Sequence, residues 1–293
     1  MTAGELYRRV IRRLEQAGKE DAAFDAACLL EDIGGVPKGR FMWGGEAPLP
    51  PDRVRAVLAA AERRAAGQPL QYLLGEWDFL GLRLKVGEGV LIPRPDTEVL
   101  CETAARLLTA AFPEEKTMSV LDLCAGTGCV GLGVASLCPG ACPTCVELSG
   151  EAFGYLTANL ARYPELRGRA VQADIRFAPV PSAQVHALLS NPPYIPTGEL
   201  AGLMPEVRRE PAMALDGSAD GLAFYRVIAK RWLSCLRPGG ICAVEVGAGQ
   251  ADAVEALFSQ AGLTGILRVR DAAGIERVVA GYRPGVPADG EKD

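Results

Sequence analysis

The chain has 293 residues, 49% hydrophobic and 23% charged, with a formal net charge of −5. That length suits one large domain or two smaller ones, and the balance is that of a packed globular protein rather than a disordered chain. No apolar run reaches the ~20 residues that cross a bilayer, and the acidic balance argues against stable binding of nucleic acid through its phosphates.

The first third begins with helices. Thr2 and Glu5 form a candidate capping box, and Tyr7, Val10, Ile11 and Leu14 mark one apolar face. Ala26, Leu29, Leu30 and Ile33 repeat that spacing and stop at Gly34-Gly35. A third helix is expected to start near Pro51-Asp52, to carry Val54, Val57, Leu58 and Ala61, and to end around Gly67 and Pro69. These stripes predict a small helical bundle over 1–75 that docks a partner and performs no chemistry itself.

Over 76–95 the pattern changes. Phe79 to Val86 and Val90 to Ile92 read as two short strands turned by Gly87-Glu88-Gly89, a β-hairpin linking two domains. A helix then starts near Thr97. Strands are expected at 118–123, 144–148, 169–173, 185–190 and 240–246, alternating with helices from about 129, at 150–163, at 220–236 and at 249–261. That order predicts a mainly parallel, doubly wound sheet over 96–284. Two final strands near 265–270 and 276–282, separated by a short loop, should pair antiparallel. Residues 285–293, rich in Pro, Gly and charge, read as a flexible tail.

The sequence contains 9 cysteines. Cys28 falls in a helical pattern and Cys242 in an apolar strand, where cysteine serves as a small hydrophobe. Cys138, Cys142 and Cys145 have the C-x₃-C-x₂-C spacing of an iron–sulfur ligand run, but they lead from a helix end into a strand, so core packing is expected and no metal.

The first strand of the sheet ends at Asp122 and runs into Leu123-Cys124-Ala125-Gly126-Thr127-Gly128-Cys129-Val130-Gly131. The G-x-G-x-x-G spacing admits a dinucleotide, but an acid at the strand end would repel a pyrophosphate. It would welcome a cofactor carrying an ammonium and a sulfonium, which points to S-adenosyl-L-methionine. Gly126 and Gly128 would let the backbone approach that ligand, and the helix behind would receive its carboxylate. Glu147 closes the second strand, where an acid accepts from ribose hydroxyls. Asp174 follows the third and is placed to accept from an adenine amino group, with Ile175 packing on the ring.

Asn191 closes the fourth strand on the same edge and opens Asn191-Pro192-Pro193-Tyr194. An Asn side-chain oxygen and the carbonyl of Pro192 can together accept both hydrogens of a planar NH₂ group. Pro193 would stiffen the loop, and Tyr194 offers the planar group a flat wall. The expectation is a methyltransferase acting on nitrogen, with Asn191, Pro192 and Tyr194 catalytic and no separate base.

Further segments extend the pattern. Gly67-Gln68-Pro69-Leu70-Gln71-Tyr72-Leu73, Val90-Leu91-Ile92-Pro93-Arg94-Pro95-Asp96-Thr97-Glu98, Glu210-Pro211, Ala214-Leu215-Asp216-Gly217, Arg237-Pro238-Gly239-Gly240 and Glu245 accompany the glycine loop and Asn-Pro-Pro-Tyr. With these the chain resembles the PrmC/HemK family of glutamine methyltransferases over nearly its whole length. The resemblance implies a Rossmann-like class I S-adenosylmethionine-dependent domain behind an N-terminal helical domain that recognises class 1 peptide chain release factors. It also implies methylation of the Gly-Gly-Gln glutamine at its side-chain amide nitrogen (N5), S-adenosyl-L-homocysteine as product, and a cytoplasmic monomer. Cys124 replaces a usual glycine, Glu147 a usual aspartate, and His186 stands where an aspartate often precedes the motif; it is expected to be structural. The rival readings are an adenine-N6 DNA or RNA methyltransferase, an inactive release-factor-binding protein and, more distantly, a nicotinamide oxidoreductase.

Overall fold

A computed structural model describes residues 1–42 and 47–285, so the expected tail lies, from residue 286 onward, outside the described residues. The chain divides into two compact units. One comprises Met1–Trp77 with Val86–Glu88 and Met204–Arg209; the other comprises Asp78–Lys85, Gly89–Leu203 and Glu210–Asp293.

The first unit is helical. In α1 (Ala3–Gln16) the Thr2 hydroxyl accepts from the Glu5 N–H at 3.2 Å and the Glu5 carboxylate accepts from the Thr2 N–H at 2.8 Å, a reciprocal capping box. Its fully buried stripe is Leu6, Val10 and Leu14, with Tyr7 and Ile11 at the flanks. Next come α2 (Ala22–Cys28), a single π turn at Leu29–Ile33, and α3 (Lys38–Met42). Proline at the first position starts α4 (Pro51–Ala65), and α5 (Leu70–Leu74) stops at Gly75 in the left-handed region. The segment Met204–Arg209 joins this unit through Glu206, which lies 2.6 Å from both Lys19 and Arg64. Arg64 also pairs with buried Asp25 at 2.6 Å.

The linking hairpin is earlier than the sequence suggests. It pairs β1 (Glu76–Phe79) with β2 (Leu82–Lys85) around Leu80-Gly81, whose φ angles are +51° and +75°. Two central residues with positive φ make the tight turn that matches strand twist. A leucine in that position hides the signal, while Gly87-Glu88-Gly89 advertises a turn that reverses no strand. Val90 to Ile92 form no strand either; they lead into α6 (Pro95–Ala111).

The second unit is built on a seven-stranded sheet with β3 (Met118–Leu123), β4 (Ala141–Glu147), β5 (Arg169–Gln172), β6 (Val185–Ser190), β7 (Leu236–Glu245), β8 (Thr264–Arg270) and β9 (Glu276–Tyr282). The strand order is β5-β4-β3-β6-β7-β9-β8. The first five strands are parallel, and β9 runs antiparallel between β7 and β8. The chain therefore has a Rossmann-like, doubly wound architecture with one antiparallel strand near its edge. β4 and β7 each begin earlier than the apolar runs predict, β7 because Arg237-Pro238-Gly239-Gly240 enters through a register irregularity opposite β6. The stretch expected as one helix at 220–236 is broken into short pieces.

Strand alternation sends Val120, Leu189, Ile241 and Ala243 to one face, packed with α6, α7 (Cys129–Leu137) and α8 (Gly150–Arg162). After α9 (Ala212–Leu215), the broken stretch supplies α10 (Ala223–Val227), a π turn and a 3₁₀ turn. Leu121, Leu188, Cys242 and Val244 face that side, with Tyr225, Trp232 and α11 (Ala251–Gln260). Cys138 follows α7, and Cys142 and Cys145 sit on opposite faces of β4, Cys145 in the core. Among the described residues no group of three His, Cys, Asp or Glu could hold a metal ion, and no helix is long and apolar enough to cross a membrane. His186 lies at the amino end of β6, its Nδ1 accepting from the Ser119 N–H at 3.1 Å and its ring edge-on to Phe112.

Candidate active site

After β3 the chain goes outward through β4 and β5, then returns to place β6 on β3's other side. That reversal leaves a crevice outside the carboxyl ends of β3 and β6, the place where open α/β sheets bind ligands. Leu123 and Ser190 are register partners there, so the residues that follow, Cys124 and Asn191, leave the sheet side by side. A cavity of about 380 Å³ opens at this point. Cys124, Ala125, Gly126, Thr127, Glu147, Asp174, Ile175, Asn191 and Pro193 all line it.

The glycines divide the work. Gly126 has φ +55° and nothing within 3.9 Å of where a Cβ would stand, so its backbone is open to the cavity. Gly128 has φ +82°, but a Cβ there would lie 2.7 Å from the Leu156 side chain, so this glycine serves packing beneath α7 and does not line the cavity. Glu147 is aimed by two backbone donors: its Oε2 accepts from the Gly126 N–H and its Oε1 from the Ser149 N–H, both at 2.8 Å. Asp174 is held by Arg176, which keeps its carboxyl below the usual range through hydrogen bonds to both oxygens, the shortest 2.6 Å. Burial raises the Cys124 thiol, so it stays protonated.

Asp122, like Gly128, is an expected cofactor ligand that the structure does not bring to the cavity wall. Its side chain points to the α7 face, fully buried, with Oδ2 accepting from the Gly131 N–H at 2.9 Å and Oδ1 without a hydrogen bond. The alternation along β3 decides this, because Asp122 shares the parity of Val120. Burial, reinforced by Glu147, raises its carboxyl to about 7. The remaining donor set suits S-adenosyl-L-methionine: an open glycine backbone, an aimed carboxylate at the second strand, and the buried Ile175 side chain for a flat ring.

The Asn-Pro-Pro-Tyr loop is braced from several sides. Ile195 and Asp216 form an isolated parallel bridge, and Gln250 Nε2 donates to the Tyr194 carbonyl at 2.8 Å. Asn191 Nδ2 donates to Thr97 Oγ1 at 3.1 Å. Thr97 Oγ1 donates to Glu245 Oε2 at 2.6 Å, and the Tyr194 hydroxyl donates to Glu245 Oε1 at 3.2 Å. Glu210, buried, accepts from the Ile92 N–H at 3.0 Å and pairs with Arg94 at the cavity. The rings of Pro192 and Tyr194 do not form the cavity wall, which this loop enters through Asn191 and Pro193.

Thr97, Glu245, Gln250 and Glu210 carry no role in the sequence reading. Glu245 left a signal: it is an acid closing the apolar run Ile241-Cys242-Ala243-Val244, a further strand-end carboxylate on the edge already marked by Glu147 and Asn191.

Two family models match the chain, the PrmC N-terminal domain over residues 5–75 and the methyltransferase small domain over residues 99–203. A protein of Geobacter sulfurreducens named release factor glutamine methyltransferase is 38% identical over 269 residues, 92% of each chain. One of the same name from Gloeobacter violaceus is 40% identical over 260 residues, 87% of this chain and 88% of that one. Among solved structures, the hMettl16 catalytic domain in complex with a MAT2A 3′UTR hairpin is 15% identical with a TM-score of 0.56, covering 78% of this chain and 85% of that one, a likeness of fold alone.

Proposed function

The chain belongs to the family of release factor glutamine methyltransferases, and from that premise we propose that it methylates the glutamine of the Gly-Gly-Gln motif in class 1 release factors at the side-chain amide nitrogen. The enzyme is an S-adenosyl-L-methionine-dependent methyltransferase. The observation that carries the reading is the pairing of Leu123 with Ser190, which sets the glycine loop and Asn191 against one cavity.

When bound, S-adenosyl-L-methionine supplies an electrophilic methyl carbon and leaves as S-adenosyl-L-homocysteine. The chain's own residues have to present the nucleophile. An amide nitrogen is a weak one, because its lone pair is delocalised into the carbonyl. Asn191 Oδ1 and the carbonyl of the Pro192–Pro193 peptide, which borders the cavity through Pro193, would accept the two amide N–H hydrogens and so orient the nitrogen. Methyl transfer to that nitrogen would build positive charge on it, and these two acceptors would stabilise that charge. The proton leaves to water after transfer. Pro193 keeps the loop rigid at the cavity wall, and Tyr194 braces it from behind through its hydroxyl on Glu245. Glu147 would take the ribose hydroxyls, Asp174 and Ile175 the adenine, and Cys124 to Thr127 the remainder of the cofactor, with Gly128 and Asp122 supporting the loop from beneath.

The helical unit recognises the release factor, over 1–75, with 76–95 as the link and 96–284 as the transferase. The same reading makes the protein a cytoplasmic monomer without stable nucleic-acid binding. The test is mass spectrometry of release factor incubated with the protein and isotopically labelled S-adenosyl-L-methionine, with a Gln→Ala control in the Gly-Gly-Gln loop. Label on that glutamine, absent from the control, supports the proposal. Label on adenine of DNA or RNA instead would transfer the same pocket to the rival substrate.

A further inference from the structure

Asn191 can accept an amide N–H in only one of its two side-chain orientations. With Oδ1 toward the cavity it accepts; flipped, its own NH₂ group would face the substrate NH₂, donor against donor. The two orientations fill the same space, so shape cannot choose between them. Something must set the direction of the hydrogen bonds.

The buried groups behind the cavity do so. Ser190 is the register partner of Val244, so Asn191 and Glu245 leave adjacent strands together, and the first turn of α6 brings Thr97 between them. Thr97 and Glu245 are each 1% exposed. The carboxylate takes the Thr97 hydroxyl hydrogen at 2.6 Å and the Tyr194 hydroxyl hydrogen at 3.2 Å. A threonine has one hydroxyl hydrogen. Once that is committed to the acid, only the oxygen's lone pairs remain for Asn191, and these accept from Nδ2 at 3.1 Å. Oδ1 then has nowhere to face but the cavity, and it accepts from no group among the described residues.

We propose that Glu245 and Thr97 are positioning residues for the transfer, a buried relay that fixes the amide orientation of Asn191 and so presents an acceptor to the substrate nitrogen. The inference rests on the reading of Asn191 as the amide acceptor. Burial raises the Glu245 carboxyl above its usual range; the hydrogen bonds from Thr97 and Tyr194 and then the Arg277 guanidinium, itself paired with Asp96 at 2.9 Å, work against that rise and favour the ionised form.

The relay has a direction, and a direction can be reversed. In Asn191→Asp alone, two carboxylates compete for the single Thr97 hydrogen, and turnover should fall by at least about tenfold, the scale of one directed buried hydrogen bond. In Glu245→Gln alone, the residue beside Thr97 can either donate or accept, the direction is no longer imposed, and turnover should fall similarly. With both substitutions, the amide introduced by Glu245→Gln donates to Thr97, and Thr97 donates to the carboxylate introduced by Asn191→Asp. That carboxylate still offers an oxygen to the substrate. The double variant should therefore turn over about tenfold faster than Asn191→Asp, a rescue in which one loss cancels another.

The experiment measures kcat and KM for transfer to a Gly-Gly-Gln release factor by wild type, both single variants and the double variant, with S-adenosyl-L-homocysteine binding by calorimetry as the check on folding. A structural role predicts that the second substitution adds damage. Thr97→Val and Thr97→Ser supply an independent arm, usable even where a Glu245 variant fails to fold: serine should exceed valine in kcat by about tenfold. A double variant at or below Asn191→Asp with binding intact, or equal turnover for the serine and valine variants, overturns the relay. A folded wild type that transfers nothing to the Gly-Gly-Gln glutamine overturns instead the proposed function, and the relay with it.

Discussion

Gln250 holds Tyr194 in place by a two-ended clasp. Its Nε2 donates to the Tyr194 carbonyl at 2.8 Å while its Oε1 accepts from the Gly247 N–H at 3.0 Å. The clasp leaves no room on the loop's outer side. A Cβ at Gly221 would stand 2.3 Å from the Tyr194 carbonyl oxygen and 2.5 Å from Gln250 Nε2, in a residue whose φ is +74°.

Gly221→Ala should therefore displace the Asn-Pro-Pro-Tyr loop rather than unfold the sheet. The expected outcome is a fall in kcat of at least about tenfold with a stability loss of roughly 1–3 kcal/mol, since alanine is strained at positive φ. Steady-state kinetics beside thermal unfolding would check it. Full turnover with lowered stability would show that the loop tolerates the shift.

Asn191→Ala removes the proposed amide acceptor but none of the groups that line the cofactor end of the cavity. Turnover should drop about 10²-fold or more, on the scale of losing one preorganised transition-state contact. The affinity for S-adenosyl-L-homocysteine should change by no more than about threefold, because the lost contact belongs to the transferred nitrogen. Comparable losses in both would move Asn191 from the substrate to the cofactor.

Asp122 carries a pH signature. Its carboxyl, raised by burial to about 7 from 3.8, lies above its unfolded value, so the folded chain binds the proton more tightly. The stability that this provides is complete below about pH 4 and is lost as pH rises through about 7, by at most about 4 kcal/mol. Asp122→Asn keeps the acceptor for the Gly131 N–H and removes the titration. In cofactor-free protein the variant should melt higher than wild type at pH 8 and show a flatter profile between pH 5 and 8. Parallel profiles would mean that Asp122 is charged throughout.

Within the helical unit, Arg64 is held between Asp25 and Glu206, each at 2.6 Å. Burial raises the Asp25 carboxyl even with the guanidinium beside it. Arg64→Ala should cost about 3 kcal/mol at neutral pH, because it strands a buried carboxylate, and less as pH falls and Asp25 takes up a proton. Arg64→Lys should recover only part of this, since an ammonium cannot present the planar fork to both acids. Urea unfolding at pH 5 and pH 8 measures the difference; a loss independent of pH would assign it to packing.

Periodicity and punctuation alone were enough to read most of the second unit. The runs at 118–123 and 185–190 coincide with β3 and β6, and the last two strands pair antiparallel as the short loop between them requires. The loop residues of the candidate site were legible because their chemistry is rare at strand ends. The hairpin was not, since Leu80 occupies a left-handed position that sequence statistics reserve for glycine, asparagine and aspartate. Asp122 was read as a cavity ligand because its position along the chain is right, but strand parity turns it beneath the loop.

The amino-acid order specifies the set of groups: the glycine loop, the strand-end acids, the Asn-Pro-Pro-Tyr turn and the order of strands that carries them. Which of these meet follows from how the strands are laid beside one another. Thr97, Asn191 and Glu245 are far apart in the chain and belong to three different elements, and no local pattern links them. The crossover that sets β6 beside both β3 and β7 brings them within hydrogen-bond reach. The direction of those bonds then follows from burial, because a carboxylate cut off from water must take its hydrogens from the hydroxyls packed against it.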